Sequence, residues 1–432
     1  MKSPLSEIVA SGIPIVAVIG QGYVGLPLAM EVVRAGFHCI GIDVSVKTVD
    51  GLNAGKSHII DIKDDELGIA LATGRYRASA NYADLAHAHV ISICVPTPLR
   101  KTKDPDVSYI QASVAAMRPY LNRNGVLVIL ESTTYPGTTD ELVAHELAGD
   151  GLTLDENLFV AFSPERVDPG NATYGLKNTP KVVGGVTPTS TALVSTFYGR
   201  VVDHVHPVRS SREAEMVKLL ENTFRAVNIA LVNEMLLMCD RMGIDMWDVI
   251  HAASTKPFGY MPFYPGPGIG GHCIPLDPTY LSWKAKSYGF YNRFIELATD
   301  INGNMPRFVV QKLSKLMNDQ GKALKGSRIL LLGMAYKPNI NDLRESPGLD
   351  IWQLLDQEWG ADVVYHDPYI QHLHEFDADS IELTNEELNQ ADAVVIVTNH
   401  KDFDYKQVCQ HAKLILDARH AIKEDHDNVT RL

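Results

Sequence analysis

A single cysteine stands among glycines and prolines in a segment that does not look like ordinary core packing. The segment GPGIGGHCIPLDP covers residues 266–278 and contains Cys273, with Asp277 four residues later. Glycine and proline fix the shape of the backbone, so they can hold a thiol in one geometry. A cysteine is also a small apolar side chain that fits a tight turn. The segment alone leaves both interpretations open.

Before that segment, a predicted helix carries four polar groups on roughly one face, at spacings of three and four residues. The four are Glu215, Lys218, Asn222 and Arg225. The usual explanation is a solvated face with salt bridges. The helix is otherwise strongly apolar and contains Asn228 and Asn233, which are poor helix formers, so a functional face is the competing hypothesis.

A glycine-rich turn between a predicted strand and a predicted helix has the spacing of a dinucleotide-binding turn. The run is Gly20, Gln21, Gly22, Tyr23, Val24 and Gly25. The three glycines allow a tight turn, a close approach to a pyrophosphate and close packing of helix on strand. Asp43 ends the next predicted strand, where a carboxylate binds a ribose diol and repels a 2′-phosphate. The pattern predicts NAD rather than NADP, and the alternative is a purely structural turn.

Loops after later predicted strands add further candidates. Thr97, Thr134 and Glu165 follow such strands, and ligands bind at the carboxyl ends of parallel strands. Each also has an ordinary explanation, as a turn residue or a solvated charge. In the C-terminal part, Lys337 and Arg344 follow a strand without a GxGxxG turn and could bind an anion such as a second nucleotide. The alternative is a degenerate domain that only supports a dimer.

Composition excludes several classes of protein. The chain has 432 residues, which suggests two or three domains, and its net charge is −13. An acidic chain without a basic tract is a poor nucleic-acid binder. Five widely spaced cysteines show no zinc-ligand spacing, which predicts no metal site and a reducing compartment. No signal peptide and no apolar run of about 18 residues is found, so we expect a soluble cytoplasmic protein without a membrane partner.

The order of predicted elements indicates the fold class. Strands and helices alternate up to about residue 171 and again from 327, while helices dominate from 209 to 255 and from 278 to 320. We therefore predict an α/β protein with two Rossmann-like, doubly wound parallel-sheet domains joined by a helical central domain. The predicted boundaries are 1–208 for NAD binding, 209–322 for the helical domain with the cysteine loop, and 323–432 for the second nucleotide domain.

Taken together, these motifs resemble the UDP-glucose/UDP-mannose dehydrogenase family over residues 13–420. The blocks that carry the resemblance are GQGYVGLPLA, ESTTYPGTTDE, FSPERVDPGN, AEMVKLLENTFRAVNIALVNE, PGPGIGGHCIPLDP and KPNINDLRESP. Within the family, FSPERVDPGN and GGHCIPLDP are similar to the branch that oxidises N-acetylated sugar nucleotides, UDP-N-acetylglucosamine first among them. Val167 and Pro338 depart from the residues usual at their positions.

The resemblance implies a role for each candidate. Cys273 would be the nucleophile of a two-step oxidation, and Lys218 and Asn222 would stabilise the oxyanion. Asp277, Glu165 and Thr134 would order and activate water. The implied NAD contacts are Gly20, Gly22, Tyr23, Val24, Gly25, Asp43, Thr97 and Thr134. The implied substrate contacts are Glu165, Arg166, Lys218, Asn222, Gly270, Lys337 and Arg344.

The implied activity is NAD-dependent, four-electron oxidation of the C6 alcohol of a UDP-N-acetylhexosamine, which supplies precursors of surface polysaccharides. The mannosamine and galactosamine epimers are alternatives to UDP-N-acetylglucosamine. A two-electron dehydrogenase of the hydroxyacid type and a non-catalytic NAD-responsive module are the competing functions. The resemblance also implies a homodimer or larger homo-oligomer built on the long helical region.

Overall fold

The structure, a computed structural model, describes residues 4–59, 61–100, 104–166 and 173–432. The chain divides into two units. The first consists of Met1–Glu221 with Trp283–Gly289, and the second of Asn222–Ser282 with Phe290–Leu432. The boundaries 1–208, 209–322 and 323–432 stay a prediction.

Short apolar runs form the strands of the first unit. Among the described residues they are β1 Ile15–Ile19, β2 His38–Ile42, β3 Tyr76–Ser79, β4 Val90–Ile93, β5 Val126–Leu130, β6 Leu158–Phe162, β7 Lys181–Gly185 and β8 Val205–Pro207. Their order in the sheet is β3-β2-β1-β4-β5-β6-β7-β8. Neighbouring strands are parallel except β6 and β7, which are antiparallel. The central strands are buried on both faces, which explains their nearly continuous apolar sequence.

Helices cover both faces of this sheet. They are α1 Pro4–Ser11, α2 Gly25–Arg34, α3 Val46–Asn53, α4 Asp64–Ala72, α5 Ser108–Met117, α6 His145–Leu147 and α7 Pro188–Tyr198, with short 3₁₀ segments at Tyr82–His87 and Arg118–Tyr120 and a π-helical segment at Thr138–Ala144. Val16 and Val18 of β1 belong to one core layer, and Ala17 and Ile19 belong to the other. This alternation is that of a doubly wound sheet.

The helical region contains α8 Ser211–Met242, α9 Met246–Ser254, α10 Cys273–Lys286 and α11 Arg293–Asp319. The helical stretch expected at 278–320 consists of two helices and begins five residues earlier. The first helix begins at Cys273 and ends at Lys286, before Gly289 adopts a φ of +67° that a continuing helix does not allow. Neither α8 nor any other helix of the described residues is long and apolar enough to cross a membrane.

A second parallel sheet forms the C-terminal part. Its strands are β9 Arg328–Leu332, β10 Asp362–His366, β13 Ala393–Ile396, β14 Ile415–Asp417 and β15 Val429–Arg431, while β11 His372–Leu373 and β12 Ala378–Asp379 form a hairpin. The helices are α12 Pro347–Gln353, α13 Asn385–Gln390 and α14 Tyr405–His411, with a π-helical segment at Leu354–Glu358. The order β10-β9-β13-β14-β15 repeats the order β2-β1-β4-β5-β6 of the first sheet. The predicted fold class, with two Rossmann-like sheets and a helical region between them in sequence, is confirmed.

Candidate active site

The glycine-rich turn after β1 has the geometry that its spacing predicts. Gly20 has a φ of +89°, and a Cβ there would lie 2.5 Å from the carbonyl oxygen of Cys94. A Cβ on Gly25 would lie 1.7 Å from the carbonyl oxygen of Gly20, so α2 packs directly on the strand end. A Cβ on Gly22 would meet no atom within 4 Å. The first and third glycines therefore serve packing, while Gly22 leaves an open face at the start of α2 for a phosphate.

Asp43 is held at the end of β2 by two backbone donors. Its Oδ2 accepts a hydrogen bond of 2.9 Å from the amide of Gln21, and its Oδ1 accepts one of 2.9 Å from the amide of Ser45. The carboxylate is half-buried beside the open turn. Val24 is the N-cap of α2, and Tyr23 is exposed at the same turn. These residues fit the pyrophosphate and ribose of NAD.

The strand-end candidates lie where the topology predicts, beyond the carboxyl ends of β4, β5 and β6. Thr97 and Thr134 are buried, and Glu165 is half-buried. The Oγ1 atoms of Thr134 and Thr138 lie 2.6 Å apart, so the Thr134 hydroxyl is oriented by a neighbour that the sequence analysis did not identify. The roles of the three residues stay predictions.

Lys218 and Arg166 each donate a hydrogen bond to Glu165. The buried Lys218 donates a hydrogen bond of 2.5 Å from Nζ to the carbonyl oxygen of Glu165. The amide of Arg166 donates to Glu165 Oε1 at 2.8 Å. The Arg166 guanidinium forms two hydrogen bonds to Glu221, from Nη2 at 2.6 Å and from Nε at 3.3 Å. Its predicted contact with substrate would therefore compete with Glu221.

Glu215 is a structural residue of the polar helix face. It is fully buried, and its carboxylate accepts hydrogen bonds from the amides of Gly137 and Thr139 and from the Thr139 hydroxyl, at 2.7–2.9 Å. These donors belong to the first turn of the π-helical segment, which Glu215 caps from α8. Burial raises the pKa of Glu215 to about 7, although the hydrogen bonds act in the opposite direction.

Cys273 and Asp277 lie one turn apart at the start of α10. Cys273 is the first residue of the helix and is partly exposed, while Asp277 is fully buried. The N-terminus of a helix is the positive end of its dipole, which favours a negatively charged group such as a thiolate. Asn222 of α8 donates a hydrogen bond of 2.6 Å to Asp277 Oδ2. Lys218 and Asn222 occupy successive turns of α8.

The two asparagines of α8 have different explanations. Asn233 is fully buried, donates to Asn302 Oδ1 at 2.9 Å and accepts a hydrogen bond of 3.0 Å from the amide of Gly266. It therefore fixes the first glycine of the cysteine segment. Asn228 donates back to the carbonyl oxygen of Phe224 within its own helix. Arg225 is exposed, which agrees with the solvated-face explanation for this residue.

The cysteine segment packs against the loop that follows β9. The amide of Gly271 donates to the carbonyl oxygen of Arg344 at 2.8 Å. A Cβ on Gly270 would lie 2.6 Å from both the carbonyl oxygen of Glu345 and the Cβ of Tyr336. The structure thus brings Gly270 and the neighbours of Lys337 together. The absence of a side chain at Gly270 is a packing requirement, and its predicted substrate contact stays a prediction.

Lys337 is half-buried and Arg344 is exposed on this loop. Hydrogen bonds of 2.6–3.0 Å join the Arg344 guanidinium to Asp342. Their predicted contacts with UDP stay predictions.

Two buried side chains, His400 and Asp367, accept hydrogen bonds from backbone amides of the same loop. The amide of Asn339 donates to His400 Nδ1 at 2.9 Å, and His400 Nε2 lies 3.1 Å from Asp367 Oδ2. The same oxygen accepts hydrogen bonds from the amides of Met334 and Ala335. Of the two positions that depart from the family pattern, Pro338 is half-buried on this loop. Val167 lies outside the described residues.

The described residues contain no group of three or more histidine, cysteine, aspartate or glutamate side chains that could hold a metal ion. Lys181 and Glu131 form a buried charged pair that the sequence analysis missed. In the sequence, Glu131 is a charged residue after one apolar run and Lys181 is a charged residue before another, which is common at the ends of strands.

Sequence models of one protein family match three consecutive segments of the chain. They describe the NAD binding domain, the central domain and the UDP binding domain of the UDP-glucose/GDP-mannose dehydrogenase family, and they match residues 15–202, 212–304 and 330–424. The chain belongs to this family. The predicted family membership is confirmed, although the second substrate in the family description is GDP-mannose and not UDP-mannose. The protein is an oxidoreductase with an NAD-binding domain.

Individual members of the family are similar over nearly the whole chain. A UDP-N-acetyl-D-mannosamine dehydrogenase from Pyrococcus horikoshii is 35% identical over 95% of this chain and 96% of its own. A UDP-N-acetyl-D-glucosamine 6-dehydrogenase from Pseudomonas aeruginosa is 32% identical over 96% and 98%. An NDP-N-acetyl-D-galactosaminuronic acid dehydrogenase from Ralstonia nicotianae is 35% identical over 90% and 91%. A solved structure of a UDP-D-ManNAc dehydrogenase from P. horikoshii matches with a TM-score of 0.88 and 32% identity over 96% of this chain and 98% of that one.

Proposed function

We propose that the protein oxidises the C6 alcohol of a UDP-N-acetylhexosamine to the uronic acid in two NAD-dependent steps, through a thioester on Cys273. The observation that carries the proposal is the placement of Cys273 as the first residue of α10, with buried Asp277 one turn later and Asn222 bonded to it. Membership of the NAD-dependent UDP-sugar dehydrogenase family supplies the reaction type.

The reaction needs a nucleophile because an aldehyde has no hydride to give until a group adds to its carbonyl. When bound, NAD⁺ accepts one hydride in each of the two oxidations. The first oxidation converts the alcohol into an aldehyde, and Cys273 Sγ then adds to the carbonyl carbon to give a thiohemiacetal. The second converts the thiohemiacetal into a thioester, which water cleaves to the carboxylate and the thiol. The sum is one alcohol, two NAD⁺ and one water giving one carboxylate, two NADH and three protons.

The other polar residues have roles in moving protons and stabilising charge. Lys218 and Asn222 stabilise the oxyanion of the adduct, since a buried ammonium and an amide are strong donors to developing negative charge. Asp277 accepts and returns the proton that Lys218 exchanges. Glu165 takes a proton from the hydrolytic water, and Thr134 holds that water.

Two positive side chains of the C-terminal part are suited to the diphosphate. Lys337 and Arg344 lie on the loop after β9, at the carboxyl edge of a doubly wound sheet where such folds bind nucleotides. A UDP-binding domain is not needed by a two-electron hydroxyacid dehydrogenase, and residues 330–424 match one. The four-electron reaction is therefore the better hypothesis.

UDP-N-acetylglucosamine is the substrate that we propose first, with the mannosamine and galactosamine epimers as alternatives. The segment GGHCIPLDP, with His272 and Leu276, resembles the branch that acts on N-acetylated sugars. A test compares NADH formation with the three UDP-N-acetylhexosamines and with UDP-glucose. We expect one N-acetylated substrate to exceed UDP-glucose at least about tenfold in kcat/KM, because buried groups that bind the acetamido group are left unpaired by a hydroxyl. A preference for UDP-glucose would contradict the assignment.

We also propose that two copies of the chain form a dimer through α8. Five apolar side chains at spacings of four and seven residues along this helix are each 45–60% exposed, namely Leu220, Phe224, Leu231, Met238 and Met242. An exposed apolar stripe on a 32-residue helix is suited to packing against its counterpart in a second copy. The free-thiol composition suits a reducing compartment, and we place the enzyme in the cytoplasm.

A further inference from the structure

A buried charged cluster lies beside Glu165 at the carboxyl edge of the first sheet. Lys181 Nζ is 2.6 Å from Glu131 Oε2 and 3.8 Å from Glu165 Oε2. The side chains of Lys181 and Glu131 are 5% and 0% exposed. Glu131 follows β5 directly. Lys181 opens β7, and because β7 runs antiparallel to β6, its first residue lies at the edge where the parallel strands end.

The Glu131 carboxylate accepts hydrogen bonds from three side chains. Its Oε1 accepts hydrogen bonds from the hydroxyls of Tyr198 and Ser92, and its Oε2 accepts one from Lys181. Burial opposes the charge on Lys181, but Glu131 and Glu165 outweigh it and raise the pKa of the ammonium. Burial raises the pKa of Cys94 and of Tyr198, and Glu131 adds to both effects, so these two groups are neutral. Lys181 is thus a cation held by Glu131.

A donor lies beside each oxygen of the Glu165 carboxylate, one at hydrogen-bond distance and the other at the longer distance of an ion pair. Oε1 accepts the amide of Arg166 at 2.8 Å, and Oε2 faces Lys181. Among the described residues, the charged groups nearby include Lys218, whose Nζ donates to the Glu165 carbonyl oxygen, and the Arg166 guanidinium, which is paired with Glu221. Of these described cations, Lys181 is the one that forms an ion pair with the carboxylate itself.

A buried ion pair is a weak source of folding stability, because desolvation of the two charges offsets their attraction. Its field on a nearby, partly accessible carboxylate is strong, since water screens it poorly. The arrangement of Glu131, Lys181 and Glu165 is accordingly better suited to orienting the Glu165 carboxylate than to stabilising the fold.

We propose that Lys181, fixed by Glu131, is a positioning residue that orients the Glu165 carboxylate to accept the proton of the hydrolytic water. This inference rests on the proposed function, in which Glu165 serves thioester hydrolysis. In that step the water oxygen bonds to the thioester carbon, its proton goes to Glu165, and the carbon–sulfur bond breaks to release the Cys273 thiolate and the uronic acid. No electrons leave or enter the enzyme in this step.

The test separates this role from a structural one by pH and by the covalent intermediate. The double variant Glu131→Gln/Lys181→Met removes both charges of the buried pair, so neither Glu131 nor Lys181 is left as an ion without its counterion. The variant removes the ammonium that lies beside the Glu165 carboxylate, so we expect the acid side of the kcat–pH profile to change. At pH 7 we expect kcat to fall at least about tenfold, with a burst of two NADH per active site and a sugar acyl adduct on Cys273 by mass spectrometry.

Two further variants make the outcome decisive. Lys177→Met is the matched control, because it removes an exposed lysine four residues away and should keep the wild-type profile. Lys181→Gln retains a hydrogen-bond donor for Glu131 and serves if the double variant does not fold. A folded Lys181 variant with the wild-type pH profile and no adduct would overturn the inference while the proposed function stands. A wild-type enzyme that forms one NADH per sugar would overturn both.

Discussion

Asn222 Nδ2 lies 2.6 Å from Asp277 Oδ2, and both side chains are buried. This hydrogen bond joins the polar face of α8 to the second turn of α10, one turn after Cys273. It gives a reason for an asparagine in the middle of a helix, where its intrinsic preference is poor. The amide fixes one oxygen of the carboxylate, so the direction of the other is determined too.

Replacing Asn222 should therefore weaken catalysis more than binding of the cofactor. In Asn222→Ala, Asp277 loses this donor and the oxyanion loses a hydrogen bond, so we expect kcat to fall about 100-fold with little change in KM for NAD. Asn228→Ala is the matched control, because Asn228 bonds only within its own helix turn. Steady-state kinetics with saturating sugar nucleotide give both values. Equal losses in the two variants would show that helix stability, not the Asp277 contact, is responsible.

Asp43 should determine the choice between NAD and NADP. Its oxygens are aligned by the amides of Gln21 and Ser45, so Asp43→Asn keeps an acceptor while removing the charge. We expect the ratio of kcat/KM for NAD to that for NADP to fall at least about tenfold, because the repulsion of a 2′-phosphate is lost. Asp50→Asn removes an exposed charge from α3 and should leave the ratio unchanged. A ratio that moves equally in both variants would assign the effect to net charge.

The parts of the site that sequence predicted are those built from local patterns. Gly20, Gly25 and Asp43 act within one strand–turn–helix–strand unit, so their spacing already contains the geometry. The polar face of α8 was recognisable by its period, but the period could not separate a solvated face from a site. Burial separates them, since Lys218 and Asn222 are buried and Arg225 is exposed.

The pair of Glu131 and Lys181 shows what a pattern of alternating strands and helices cannot contain. The two residues meet because β7 is antiparallel to β6, whereas the alternation predicted a parallel sheet. In a parallel β7, Lys181 would start at the opposite edge of the sheet. Glu215 was found by its period too, yet its role as a cap for Thr138–Ala144 depends on a contact across 76 residues.

Glu215 should make the stability of the fold depend on pH. Burial raises the pKa of this carboxyl from 4.5 to about 7, so the folded chain binds its proton more tightly than the unfolded chain. The resulting contribution to stability is complete below pH 4.5 and is lost as the pH rises through about 7, with a total of roughly 3 kcal/mol. Glu215→Gln lacks this dependence. The free energy of unfolding of the variant, minus that of the wild type, should therefore increase from pH 5 to pH 8.

Urea unfolding at both pH values measures the difference. Glu234→Gln, which changes an exposed glutamate of the same helix, should follow the wild type. A difference between Glu215→Gln and the wild type that stays constant from pH 5 to pH 8 would contradict the assignment.

The exposed stripe of α8 should hold two copies together. Leu231→Glu and Met238→Glu place charges in the middle of the proposed interface, where burial without a partner is costly. We expect light scattering to report a dimer or larger oligomer for the wild type and a smaller species for the double variant. Ile69→Glu, at an exposed apolar residue of α4, is the control that should keep the wild-type mass. A monomeric wild type would contradict the proposal that this stripe forms an interface.

The yield of NADH per sugar tests the central claim most directly. Limiting UDP-N-acetylhexosamine is converted to completion with excess NAD⁺, by the wild type and by Cys409→Ser as a control for loss of a thiol elsewhere. The account predicts two NADH per sugar for both proteins, and for Cys273→Ser a stall without the uronic acid. One NADH per sugar with release of the aldehyde, or full turnover by Cys273→Ser, would contradict the role of Cys273 as the nucleophile.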